Sequence, residues 1–94
     1  MIGFQYRDVH FDRKGRKGWL FAKGEVINNS ARDYQTAVFR YKLFVRDKIV
    51  WSGAFKIVGL RKGEAKPFEL LLEGLDYNLT PTITKQELIF ENGY

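Results

Sequence analysis

A serine-type nucleophile and its base would have to be built here from one histidine, His10, and two serines, Ser30 and Ser52. That chemistry needs the base within hydrogen-bond reach of the nucleophile and a third group to orient it. His10 lies between Val9 and Phe11, where an alternating strand turns its side chain outward, so the sequence predicts a solvent-facing histidine and not a base. Eleven acidic residues always allow a carboxylate pair to be nominated, and Glu69 with Glu73 is the pair that shares a strand face. Charge on such a face is the ordinary result of solvation. The chain has no cysteine, a lone histidine does not begin a zinc site, and no Asp-rich calcium loop occurs. Lys14-Gly15-Arg16-Lys17-Gly18 lacks the spacing and the following helix of a phosphate-binding loop. The expectation is a protein that is not an enzyme and carries neither metal nor cofactor.

One stretch offers binding chemistry. Lys17-Gly18-Trp19-Leu20-Phe21-Ala22 is similar to the Lys-Gly-aromatic-x-Phe strand with which RNA-recognition and cold-shock proteins stack bases. An RNA-recognition fold would also need two amphipathic helices, and no such period is present. A cold-shock-like barrel stays open, and with it single-stranded nucleic-acid binding through the basic first half, Trp19 and Phe21. Residues 1–48 carry 11 Lys or Arg against 5 Asp or Glu, so the net charge of +5 comes entirely from that half. Such asymmetry suits a polyanionic surface or an acidic protein, and it also serves plain solubility.

The elements that would position these residues are strands. In 34–45 the odd positions Ala37, Phe39, Tyr41, Leu43 and Val45 are apolar while Thr36, Arg40 and Lys42 are not, the period of a half-buried strand. Before it, 19–26 places Leu20, Ala22 and Val26 inward and Trp19, Phe21, Lys23 and Glu25 outward. The break at 28–33 is rich in Asn, Ser and Asp, whose side chains bond nearby backbone and stop strands. In the first strand the apolar parity passes from Ile2, Phe4 and Tyr6 to Val9 and Phe11, which predicts a bulge near Arg7-Asp8. Residues 12–18 read as a basic hairpin tip.

Later segments repeat the pattern. Ile49, Trp51, Phe55 and Ile57 are assigned inward against Lys48, Ser52 and Lys56, Phe68, Leu70 and Leu72 against Glu69 and Glu73, and Leu88 and Phe90 against Glu87, Ile89 and Glu91. Residues 74–81 have room for one helical turn. Six or seven short strands with turn signals between them predict an antiparallel β-sandwich in a single domain over 1–94, with a small β-barrel as the rival. By surface scaling a chain of this length buries about 65% of its unfolded surface, enough to fold without disulfides. With no signal peptide and no membrane-length apolar run, the expected compartment is the cytoplasm. Asn28-Asn29-Ser30 and Asn78-Leu79-Thr80 match the glycosylation pattern, which is too short to carry weight.

The order of features from Gly24 to about Leu72 resembles the small bacterial and archaeal immunoglobulin-like sandwich domains of the FxLYD type. The resemblance rests on Gly24-Glu25-Val26-Ile27-Asn28-Asn29-Ser30, on Tyr41-Lys42-Leu43-Phe44, and on Lys62-Gly63-Glu64 followed by Pro67-Phe68. Tyr41 stands where the family has Phe, Phe44 where it has Tyr, and Val45 where it has Asp. The resemblance implies an immunoglobulin-like accessory or interaction module without an active site. It also implies an envelope setting, if the chain is a domain of a longer protein.

The functional expectation is therefore a noncatalytic module that docks a protein partner, an acidic one by charge, through Trp19, Phe21, Arg40, Lys42 and Lys56. If the strands flanking 28–33 form one hairpin, Trp19 pairs with Lys42 and Phe21 with Arg40, each aromatic gaining a cation. Continued by Lys56, the pairs would make one stripe. Parity alone predicts that Leu43→Ala costs about 2 to 5 kcal/mol and Lys42→Ala well under ~1 kcal/mol. Denaturant titration of the two variants measures both.

Overall fold

The computed structural model describes residues 3–14, 19–75 and 77–94. Six strands follow in order: β1 (Phe4–Lys14), β2 (Trp19–Asn28), β3 (Tyr34–Val45), β4 (Lys48–Leu60), β5 (Ala65–Leu71) and, after a 3-10 segment at Tyr77–Thr82, β6 (Lys85–Gly93). They form two antiparallel sheets, which we call sheet A, β1-β2-β5, and sheet B, β4-β3-β6. Neither sheet closes on the other, so the architecture is a six-stranded sandwich and not a barrel. Residues 15–18 of the expected basic tip lie outside the described residues; Asp12 belongs to β1, opposite Phe21. The helical turn expected between the last two strands is the 3-10 segment. Among the described residues no helix is long and apolar enough to cross a membrane.

The period-two pattern decides what lies between the sheets. Leu20, Ala22 and Val26 from β2 and Ala37, Phe39, Tyr41 and Leu43 from β3 are buried, joined by Ile57, Leu60, Phe68 and Leu72. Aromatic rings bridge the layers: Phe4 stacks on Phe90 at 4.6 Å, and Phe55 stacks on Phe68 at 4.6 Å. The core has two lobes, one around Phe39 and one around Tyr41, with Val9, Phe55 and Leu88 packed against both. A large side chain buried this way is worth about 1.5 to 3 kcal/mol.

Register shifts interrupt three of the four ladders, the one between β3 and β6 lying between Val38 and Phe39. The bulge expected in β1 lies between Arg7 and His10, with Asp8 at a φ of 57°. It folds over Gly24, where an added Cβ would sit 3.0 Å from Val9 and 3.1 Å from the Arg7 carbonyl, so a side chain there would require its neighbours to give by a few tenths of an ångström. A second shift, between Leu43 and Phe44, turns Ile49 outward opposite Phe44, 53% exposed. The inward assignment of Ile49 is thus corrected, because a one-residue slip moves every side chain beyond it to the other face.

Asn28 is fully buried at the end of β2. Its Nδ2 donates to the carbonyls of Arg32 at 3.0 Å and Leu60 at 3.2 Å. Its Oδ1 accepts from the Ser30 N–H at 2.9 Å and from the Ser30 hydroxyl. Its backbone bonds to the turn between β4 and β5, accepting from Gly63 N and donating to Glu64 O. With both amide hydrogens bonded and no exposure, Asn28 cannot accept a glycan in the folded protein. At the far end, Trp51 lies across Gly53, where a Cβ would come 2.3 Å from the ring, and its indole N–H donates to the Glu73 carbonyl at 2.9 Å.

Asn28→Ala strands several of these groups without partners and should cost about 2 to 4 kcal/mol. Asn29→Ala, one residue on at an exposed position, should cost under ~0.5 kcal/mol. Equilibrium denaturation of both variants measures the contrast.

Candidate functional site

The five residues singled out from the sequence do not share a surface. Trp19 and Phe21 lie on the outer face of sheet A, whereas Arg40, Lys42 and Lys56 lie on the outer face of sheet B. The expected ladder of Trp19 with Lys42 and Phe21 with Arg40 does not form, because β2 pairs with β1 and β5 while β3 pairs with β4 and β6. The physical reason is that the inward residues of β2 and β3 bury one another across the sandwich, so each strand is free to find lateral partners elsewhere. Phe21 has Asp12 and Leu71 as cross-strand neighbours, and Trp19 is opposite Lys14.

On sheet A's outer face the charges compensate one another. Arg7 meets Glu25 at 3.1 Å, and Lys23 meets Asp12 at 3.1 Å and Glu69 at 3.8 Å. The hydrogen bond and charge of Glu25 raise the pKa of Arg7. His10 is exposed there, and its Nδ1–H donates to the Asp8 carbonyl at 2.7 Å. Ser30 is taken up by Asn28 in the β2–β3 connection, and Ser52 on β4 accepts from Arg40 on the neighbouring β3 of sheet B at 3.3 Å. His10, Ser30 and Ser52 thus occupy three separate places.

Sheet B's outer face has a different character. Arg40 Nε donates to Glu91 at 3.0 Å. Lys85 lies 3.5 Å from Glu87 and 5.2 Å from the centre of the Phe44 ring. Lys42 stands between Ser52 and Glu87, and Lys56 stands opposite Val38. Arg40, Lys42, Lys56 and Lys85 thus face two carboxylates, Glu87 and Glu91. Among these cations are exposed Val58 at 63%, Val50 at 39% and Ile89 at 37%. The sequence reading placed Ile89 outward with Glu87 and Glu91, but it missed Val50 and Val58 by sorting only charges onto the outward parity of β4. Their signal was present, since Val38 and Val58 both stand on the parity of the cations. A face of this kind can attract a negatively charged protein and bury branched aliphatic area against it.

No protein-family model matches the chain, and no match was found among the curated proteins or the solved structures.

Two tyrosines reach out of the core toward the cleft between β1 and β6. The Tyr41 hydroxyl donates to Gln86 Oε1, and burial pushes its pKa up to about 12; burial also raises that of Tyr6. In the unfolded chain both ionise near ~10, so below that pH both states are neutral and stability is unaffected. As pH climbs from ~10 toward 12, the unfolded chain accepts a charge that the folded core resists, and stability falls. The expected loss through Tyr41 is about 2 to 3 kcal/mol. Tyr41→Phe should flatten that part of the alkaline decline in denaturation curves taken across the window.

Proposed function

We propose that the chain is a noncatalytic interaction module of the immunoglobulin-like type, similar to the FxLYD domains, and that it docks an acidic protein partner on the outer face of sheet B. The observation that carries this reading is the arrangement of Arg40, Lys42, Lys56 and Lys85 around exposed Val50, Val58 and Ile89. The strand order supports the immunoglobulin-like type, in which the second and third strands also lie in opposite sheets. Further support comes from the motifs themselves. The Asn28-x-Ser30 and Lys62-Gly63-Glu64 segments, far apart in sequence, meet at one end of the sandwich through Asn28 and Gly63, and Lys62 N donates to Asp33 at 2.7 Å. A second reading, single-stranded nucleic-acid binding, is favoured by one observation: Trp19 is 46% exposed on sheet A, and the basic run Arg13-Lys14-Gly15-Arg16-Lys17 precedes it in sequence.

The two readings use opposite faces, and one set of variants separates them. Lys42→Glu combined with Lys56→Glu should release the acidic partner recovered with the native protein, with stability changed by less than ~1 kcal/mol, while Trp19→Ala leaves capture intact. Calorimetry with the recovered partner measures it. Salt-sensitive binding of a single-stranded oligonucleotide, lost in Trp19→Ala and kept in the double variant, would instead favour the nucleic-acid reading.

A further inference from the structure

Four strands lie at sheet edges, and three of them are blunted against further pairing. β1 is interrupted by the bulge between Arg7 and His10. β5 is seven residues long and contains Pro67, which has no N–H to offer. On β4, Lys66 Nζ donates to the Val58 carbonyl at 3.0 Å, and Gly59 takes a φ of 71°. Self-pairing of β4 about Ser52 would also set Lys48 against Lys56. β6 differs. Its register against β3 runs unbroken over six pairs from Phe39↔Phe90 to Phe44↔Lys85, and its one shift, at Glu91 between Val38↔Asn92 and Phe39↔Phe90, lies near the end of the strand. A strand with one antiparallel partner turns alternate N–H and C=O groups to its open side. That side of β6 borders a cleft of about 310 Å³ lined by Tyr6, Val9, Gln86 and Leu88.

We propose that a second copy of this chain pairs along β6, antiparallel about Leu88, joining two B sheets into one six-stranded sheet. The charge pattern of the strand selects this occupant and this register. Pairing about Leu88 sets Lys85 opposite Glu91 of the second copy, and does so twice, with Gln86 opposite Phe90 and Glu87 opposite Ile89. Outward residues stay outward. The neighbouring register about Glu87 sets Glu87 against itself, and the one about Ile89 sets Glu87 against Glu91 twice, so both are repelled. Lys85 is 61% exposed and would exchange its contacts with Glu87 and the Phe44 ring for the second copy, and Glu91 holds Arg40 through one oxygen, leaving the other for the incoming lysine.

Sedimentation equilibrium of the native protein from micromolar to millimolar concentration should show a monomer and dimer in exchange, weakened by salt. Lys85→Glu alone and Glu91→Lys alone should each weaken the dimer at least about tenfold, because each places like charges opposite one another twice. An equimolar mixture of the two variants should recover a heterodimer, since each chain supplies the sign that the other lacks. The Arg40 contact is lost in Glu91→Lys both alone and mixed, so it cancels from the comparison. Amide exchange gives the second readout: the β6 amides not bonded to β3 should gain protection as concentration rises. A native protein that stays monomeric, a dimer indifferent to both charge reversals, a mixture no tighter than its components, or dimerisation without new β6 protection would each overturn the proposal.

Discussion

The side-chain amide of Asn28 is the constraint from which the arrangement of the two sheets follows. A primary amide sealed from water has two donors and an acceptor to satisfy, and leaving one unmet costs about 1 to 3 kcal/mol. Here the donors take carbonyls from Arg32 and Leu60, and the acceptor takes Ser30. The Arg32 and Ser30 bonds fix the crossing from β2 to β3, while the Leu60 bond reaches the end of β4. Backbone bonds from the same residue hold Gly63 and Glu64. One residue thus binds the passage between sheets to the turn that returns from sheet B to sheet A. No aliphatic residue could do this, because packing has no direction and these contacts do.

With that end fixed, the outward surfaces diverge. On sheet A, acidic and basic residues neutralise one another in pairs around Lys23 and Arg7. On sheet B, cations exceed carboxylates and aliphatic side chains stand among them. A surface of the first kind is at ease in water, whereas the second gains from contact with something negative and partly apolar. The basic excess of the first half of the sequence is therefore not one patch. Among the described residues Arg7, Arg13 and Lys23 lie on strands of sheet A, whereas Arg40 and Lys42 lie on β3 of sheet B.

Much of the fold was legible in the residues. The alternation in β3 and β5 named the buried side of each, and the shift of apolar parity in β1 located its bulge. Strand partners were not legible. Leu20 and Ala22 need to bury against Tyr41 and Leu43, and that need is met equally by lying beside them in one sheet or facing them across two. Alternation reports which way a side chain points and nothing about which strand lies alongside. The candidate surface was read in part for the same reason: Lys42 and Lys56 were assigned outward correctly, but Trp19 was joined to them by a neighbour relation that parity cannot decide. Ile49 was misread because the slip at Leu43 leaves no mark in composition.

Both ends of the described chain lie at the pole held by Asn28. The Gly3 carbonyl accepts from Asn29 N at 2.7 Å, and Tyr94 exchanges backbone bonds with Thr36. Each end belongs to an edge strand, β1 on one sheet and β6 on the other. Tension applied between these ends would therefore not shear the ladders lengthwise, which loads many rungs at once. It would peel β1 and β6 from the same pole one rung at a time, so each step would load a single rung rather than a whole ladder.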